Sequence, residues 1–163
     1  MSEQLIISGG EKNDKYQTLL QQLPALIDQQ VDNVANMSNL VAALKQTFGF
    51  FWVGFYRVQA DELVLGPFQG PIACTRIKKG QGVCGATWVE ERTFVVPNVH
   101  EFPGHIACDD ATRSECVIPL RDHSGEVRGV LDLDSPHLSG FDPQEAAFCE
   151  NLLQEVFSRP VRW

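Results

Sequence analysis

Cys74, Cys84 and Cys108 sit in two Gly- and Pro-rich segments, GPFQGPIACTRIKKGQGVCG (66–85) and FPGHIACDD (102–110). Buried structural cysteines behave as small hydrophobes on regular elements. Thiols that do redox or nucleophilic chemistry need access, a polar neighbourhood and a backbone free to rearrange. These three are placed for the second kind of work. Cys84 falls at the expected start of a short helix, where free N–H groups and the dipole favour a thiolate. Cys108 has mixed neighbours: Asp109 and Asp110 raise its pKa, whereas His105 and Arg113 lower it. Acidity alone therefore favours Cys84 as the nucleophile. A metal is not expected, because no Cys-x-x-Cys pair occurs and His100, His105 and Cys108 lack the spacing of a structural zinc site. Gly80-Gln81-Gly82-Val83-Cys84-Gly85 satisfies G-x-G-x-x-G, but the charged TRIKK before it is no buried parallel strand, so a dinucleotide site is not expected. His123, His137 and Cys149 are read as structural.

Two further groups come from strand alternation. In FFWVGFYRV (50–58), Trp52, Gly54 and Tyr56 share one face, and Phe51, Val53 and Phe55 share the other, which is the core. Two aromatics with polar tips flanking a glycine leave either a flat recess for a small ligand or a second packed face under a helix. In GVLDLDS (129–135), Asp132 and Asp134 point away from Leu131 and Leu133. Glu115 alternates with Cys116 in SECVIPL, so Cys116, Ile118 and Leu120 face the core and Glu115 faces away. If the two strands pair, three carboxylates share one side of the sheet, attract a cation and raise at least one pKa, leaving one acid as a proton donor.

The elements that must hold these residues follow from pattern. Residues 1–13 are polar and without period, and a flexible start is expected. Tyr16, Leu19, Leu20 and Leu23 recur at helical spacing until Pro24 bends or ends the helix. Asp32 caps a second helix with a buried stripe of Met37, Leu40, Val41, Leu44 and Phe48. Strands are expected at 50–58 and 62–66, joined as a hairpin through Gln59 to Asp61. Others are expected at 72–78, 93–96, 114–121 and 126–134, the last two flanking the turn Asp122-His123-Ser124-Gly125. A short helix covers 84–92. Asp142, Pro143 and Glu145 occupy cap, N1 and N3 positions of a final helix that runs to about Ser158 and buries Phe148, Leu152 and Val156. Residues 97–114 form the longest loop, and a loop of that length in a compact domain is usually functional. The result is an α+β layered domain without βαβ alternation.

At 163 residues the chain is one domain by size and needs no covalent staple. Five cysteines, no signal-like start and no apolar run of membrane length point to a reducing cytoplasm. A net charge of −8 gives no support to nucleic-acid or phosphate-rich partners. Arg76, Lys78 and Lys79 form the one basic cluster and read as a solvated strand edge.

Taken together, WVGFY, GPFQGPIAC, GQGVCG, FPGHIACD, SE-x-x-x-PL and GVLDLDS resemble the free methionine-(R)-sulfoxide reductases, single-domain enzymes of the GAF fold. The likeness is dense over 50–135. It implies a six-stranded, mostly antiparallel sheet sandwiched between helices, a homodimer, no cofactor, and the free amino acid as substrate. By that resemblance Cys108 is the nucleophile in place of Cys84, Cys74 the main resolving thiol and Cys84 an auxiliary one. Trp52, Tyr56, Glu115, Asp132 and Asp134 are the substrate pocket, and thioredoxin is the reductant. Two departures stand out: Cys116 replaces a usual aliphatic residue, and Phe51 a residue that is often polar. A GAF small-molecule sensor and a thiol sensor or peroxidase are the competing functions.

Overall fold

Alternating apolar residues in the middle of the chain form one antiparallel sheet, with helical segments before, within and after it. In the computed structural model, which describes residues 4–7 and 9–160, the strands are β1 (Trp52–Gln59), β2 (Glu62–Gln69), β3 (Arg76–Lys78), β4 (Phe94–Val96), β5 (Ser114–Arg121) and β6 (Val127–Ser135). Their spatial order is β3-β2-β1-β6-β5-β4. Every pairing is antiparallel. The helices are α1 (Lys12–Leu26), α2 (Asn33–Phe48), α3 (Gly82–Glu90) and α4 (Pro143–Phe157). None of the described helices is long and apolar enough to cross a membrane.

The sheet separates two apolar layers. Val53, Phe55, Cys116, Ile118, Leu120, Leu131 and Leu133 pack beneath α1, α2 and α4. Trp52, Tyr56, Val117 and Val130 face the opposite layer, which α3 covers through Val83, Cys84 and Trp88. The expected faces hold for Trp52, Val53, Phe55, Tyr56, Cys116, Ile118, Leu120, Leu131 and Leu133, but Phe51, which precedes β1, packs on the Trp52 layer instead of the expected core face; Cys116 lies in the first layer, across the sheet from the acids. Cys149 is likewise buried there.

Local signals set most boundaries. Asp32 caps α2 by accepting from the Val34 N–H at 2.8 Å. Asp142 and Glu145 form a reciprocal capping box with Pro143 at N1 of α4. In the β5–β6 turn the Asp122 carboxylate accepts from Ser124 N, Ser124 Oγ and Glu126 N. It also pairs with Arg128 at 2.7 Å, and these donors together hold its pKa well below the usual carboxylate value.

Several boundaries differ from expectation. Of the expected flexible start, residues 1–3 and 8 lie outside the described residues, and α1 already begins at Lys12. It runs two residues past Pro24, because a missing N–H so near the helix end removes little of its hydrogen bonding. Helix α3 starts at Gly82, whose φ of +62° suits glycine. The expected strand 72–78 shrinks to Arg76–Lys78, leaving 70–75 irregular. Strand β2 extends instead to Gln69. Residues 97–113 are irregular except for a 3-10 turn at Val99–Glu101. Arg76 pairs with Glu62, and Lys79 lies over the Trp88 ring, in keeping with a solvated edge.

Candidate active site

Three neighbouring strands, β1, β6 and β5, assemble the acids. Glu115 of β5 stands opposite Asp134 of β6. Asp132 stands between Gly54 of β1 and Val117 of β5, and Trp52 lies opposite Asp134. One carboxylate oxygen from each of Glu115, Asp132 and Asp134 lies within 4.8 Å of the others. Burial raises all three pKa values well above the carboxylate range, and repulsion from a neighbouring acid adds to it: Asp134 on Glu115, Glu115 on Asp132, Asp132 on Asp134. The contact between Glu115 and Asp134 raises the first pKa and lowers the second, so of the two Glu115 is placed to hold a proton against Asp134. Asp132 Oδ1 and Asp134 Oδ1 are buried without a hydrogen-bond partner. Acceptors left open in this way suit a donor from outside the chain. Oxygen donors this close could take a hard cation, but the adjoining aromatic rings favour an organic ammonium.

Of the two readings of this face, a recess or a packed layer under a helix, the aromatic pair follows the second. The Trp52 indole lies across Gly54, where any Cβ would meet the indole ring and Phe68. Trp52 stacks on Phe68 with centroids 5.4 Å apart and on Tyr56 at 6.0 Å. Glycine is thus needed beneath the indole, and no flat gap remains between indole and phenol. Both polar tips are engaged: Trp52 Nε1–H donates to the Pro71 carbonyl at 3.1 Å, and the Tyr56 hydroxyl donates to the Cys74 carbonyl at 3.0 Å. Burial and the nearby acids push the Tyr56 phenol far up, so it stays a donor.

Cys74 and Cys108 are joined by a disulfide, with Cα atoms 5.2 Å apart. Cys84, Cys116 and Cys149 are free and buried. The helix-terminal position expected for Cys84 is present, as it is the third residue of α3. The acidity expected from it is not. Burial, then the charges of Asp132, Glu115 and Asp134, push this thiol well above its usual value, and they outweigh the short helix's dipole.

The acids, Trp52, Tyr56, Cys84 and Cys108 all line one cavity. Its free volume is about 40 Å³, space for a water or two rather than an amino acid. Gln81, His105, Asp109 and Thr112 add polar groups to the lining; the sequence marked His105 and Asp109 only as neighbours of Cys108, and gave no pocket role to any of the four. They come from irregular segments that carry no alternation to reveal a facing direction. The Gly-rich motif serves as the turn into α3, with Gly82 N–H bonded to the Gly104 carbonyl at 3.2 Å.

The chain matches the GAF domain family over residues 34–157. It is 50% identical over 155 residues to GAF domain-containing protein A of Dictyostelium discoideum, spanning 94% of this chain and 98% of that one. It is 40% identical over 153 residues to the free methionine-R-sulfoxide reductase of Saccharomyces cerevisiae, spanning 89% and 85% respectively. Among solved structures, the free methionine-R-sulfoxide reductase of Neisseria meningitidis in complex with its substrate is similar at a TM-score of 0.89 and 46% identity. That likeness covers 94% of this chain and 92% of the other.

Proposed function

The chain belongs to the free methionine-R-sulfoxide reductases of the GAF-domain family, and from that premise we infer that it reduces free L-methionine (R)-S-oxide to L-methionine by thiol chemistry. The observation that carries this reading is a disulfide, Cys74–Cys108, closed over a buried three-carboxyl cluster with open acceptors. A small-molecule sensor needs no such pairing.

In our proposal the disulfide is the end point of turnover. In the reduced chain the Cys108 thiolate attacks the sulfoxide sulfur. A sulfoxide is a poor electrophile until its oxygen is protonated, and the proton held by Glu115 against Asp134 is available for that. The oxygen passes to Cys108 as a sulfenic acid, and the thioether leaves as methionine. The Cys74 thiol then displaces that oxygen as water and forms the disulfide, so two thiols are oxidised for each sulfoxide reduced. Asp132 and Asp134 hold the substrate ammonium through the acceptors left open, and Trp52 walls the S-methyl group. Because the free volume beside the acids, about 40 Å³, is small for an amino acid, segment 97–113 moves in this proposal to admit the substrate. An external dithiol such as thioredoxin returns the pair to thiols. A homodimer in the cytoplasm completes the proposal; the family likeness supports the first, and the unpaired thiols of Cys84, Cys116 and Cys149 fit the second.

The test is one-turnover methionine release without added reductant from Cys74→Ser, Cys84→Ser and Cys108→Ser. Release is expected to vanish only in Cys108→Ser, and Cys74→Ser should release methionine but form no 74–108 disulfide. Loss in Cys84→Ser with release retained in Cys108→Ser would reassign the nucleophile. Binding without release by the parent chain would instead indicate a sensor.

A further inference from the structure

We infer that Trp52 and Tyr56 are positioning residues for the thiol pair, pinning the strap that carries Cys74 so that the Cys108 segment is the half that moves. Residues 70–75 form no helix or strand, and Pro71 contributes no N–H. Backbone bonding reaches the strap at Thr75, whose carbonyl accepts from Leu65 N at 3.1 Å. Between Pro71 and Cys74 the work of fixing the backbone falls to two side chains of β1. Trp52 holds the Pro71 carbonyl at 3.1 Å, and Tyr56 holds the carbonyl of Cys74 itself at 3.0 Å. Both rings are almost wholly buried, at 3% and 1% exposure, in the middle of a sheet paired on either side. They are rigid anchors. Neither bond involves a sulfur, so opening the disulfide breaks neither directly.

The opposite half is held differently. Among the described residues, 106–108 make no hydrogen bond, and Asp109 accepts from Ala111 and Thr112 within its own loop. The disulfide, the packing of Ile106 on the apolar layer at Gly82, and the Gly82–Gly104 backbone bond just before it tie this stretch to the rest of the chain. Opening the bond frees Cys108 far more than Cys74. A resolving thiol kept in place raises its effective concentration towards an incoming oxidised Cys108, in the way that any preorganised group favours an intramolecular step.

The inference rests on Cys74 and Cys108 being the redox pair, but its test uses no sulfoxide. It therefore fails or stands separately from the assigned substrate, which the methionine-release assay decides. The reduced chain is equilibrated with glutathione buffers: one oxidised glutathione takes two electrons from the thiol pair, giving the disulfide, two glutathione thiols and no other product. Acid quenching, alkylation and intact mass give the effective concentration of the pair. Tyr56→Phe and Trp52→Phe each remove one donor and keep a ring. Each is expected to lower the effective concentration about threefold to tenfold, the range of one net hydrogen bond. Val127→Ala weakens the same apolar layer without touching the strap, and is expected to lower thermal stability and leave the glutathione equilibrium unchanged. The inference is overturned if both aromatic variants keep the parent equilibrium, or if Val127→Ala shifts it as far as they do.

Discussion

Glu115, Asp132 and Asp134 sit where a folded chain gains least from charge. A group whose folded pKa is raised contributes stability in full below its unfolded value, about 4.3 for glutamate, and that contribution is lost as pH rises through the folded value. At neutral pH the cluster is therefore a source of strain, and Glu115→Gln, which mimics the protonated acid, should relieve it. We predict a stabilisation of about 0.5–2 kcal/mol at pH 7 by thermal or denaturant unfolding. That gain should fade below about pH 4, where Glu115 is protonated in both states. Methionine release should fall by tenfold or more, since the Glu115 proton can no longer be given up. An unchanged stability at pH 7 would mean that the acids do not oppose one another. Of this, the sequence carried the alternation that puts the acids on one face. It did not carry the fate of Cys84: helix position was visible, but the three acids that oppose ionisation come from strands 30 to 50 residues further along.

At the scale of elements, periodicity served where the backbone pairs with itself. Strands β1, β5 and β6, helix α2 with its Asp32 cap and helix α4 with its Asp142 box fall close to their expected positions. The strand expected at 72–78 is irregular over 72–75, where side chains from β1 fix the backbone. No local pattern encodes an anchor supplied by another element. The choice beside Gly54 between a recess and a packed face was open for a related reason, since the glycine makes room for an indole lying flat on its own strand. Gly54→Ala should therefore push the indole off its seat. We expect KM for methionine sulfoxide to rise about tenfold or more, as a displaced wall loses contact with the substrate. The near-ultraviolet circular dichroism of the Trp52 region should change with it. A variant with parent KM and spectrum would show that the ring finds an equivalent position.

Across the whole molecule, one covalent link joins two irregular segments 34 residues apart. Closing a loop of that size removes entropy from the unfolded chain worth about 3–4 kcal/mol in the simplest treatment. For a chain of this length each kcal/mol corresponds to about 2–4 °C in Tm. The oxidised form should accordingly unfold about 6–16 °C above the fully reduced form, followed by calorimetry with and without a non-thiol reductant. Equal melting temperatures would mean that the unfolded chain gains nothing from release of the link. Cys116 and Cys149 lie in the other layer, beneath the helices, and take no part in this difference.

The β5–β6 hairpin carries a consequence of its own. Its turn at Asp122 to Glu126 lies about 20 Å along the strands from the Glu115–Asp134 pair. It nevertheless decides on which side of the sheet those acids emerge, because side chains alternate with each residue. A single-residue slip there would bring Leu133 and Cys116 to the pocket and drive carboxylates into the oily layer under the helices. The network around the Asp122 carboxylate thus acts as a remote guardian of the pocket's chemistry, although no atom of it touches a substrate.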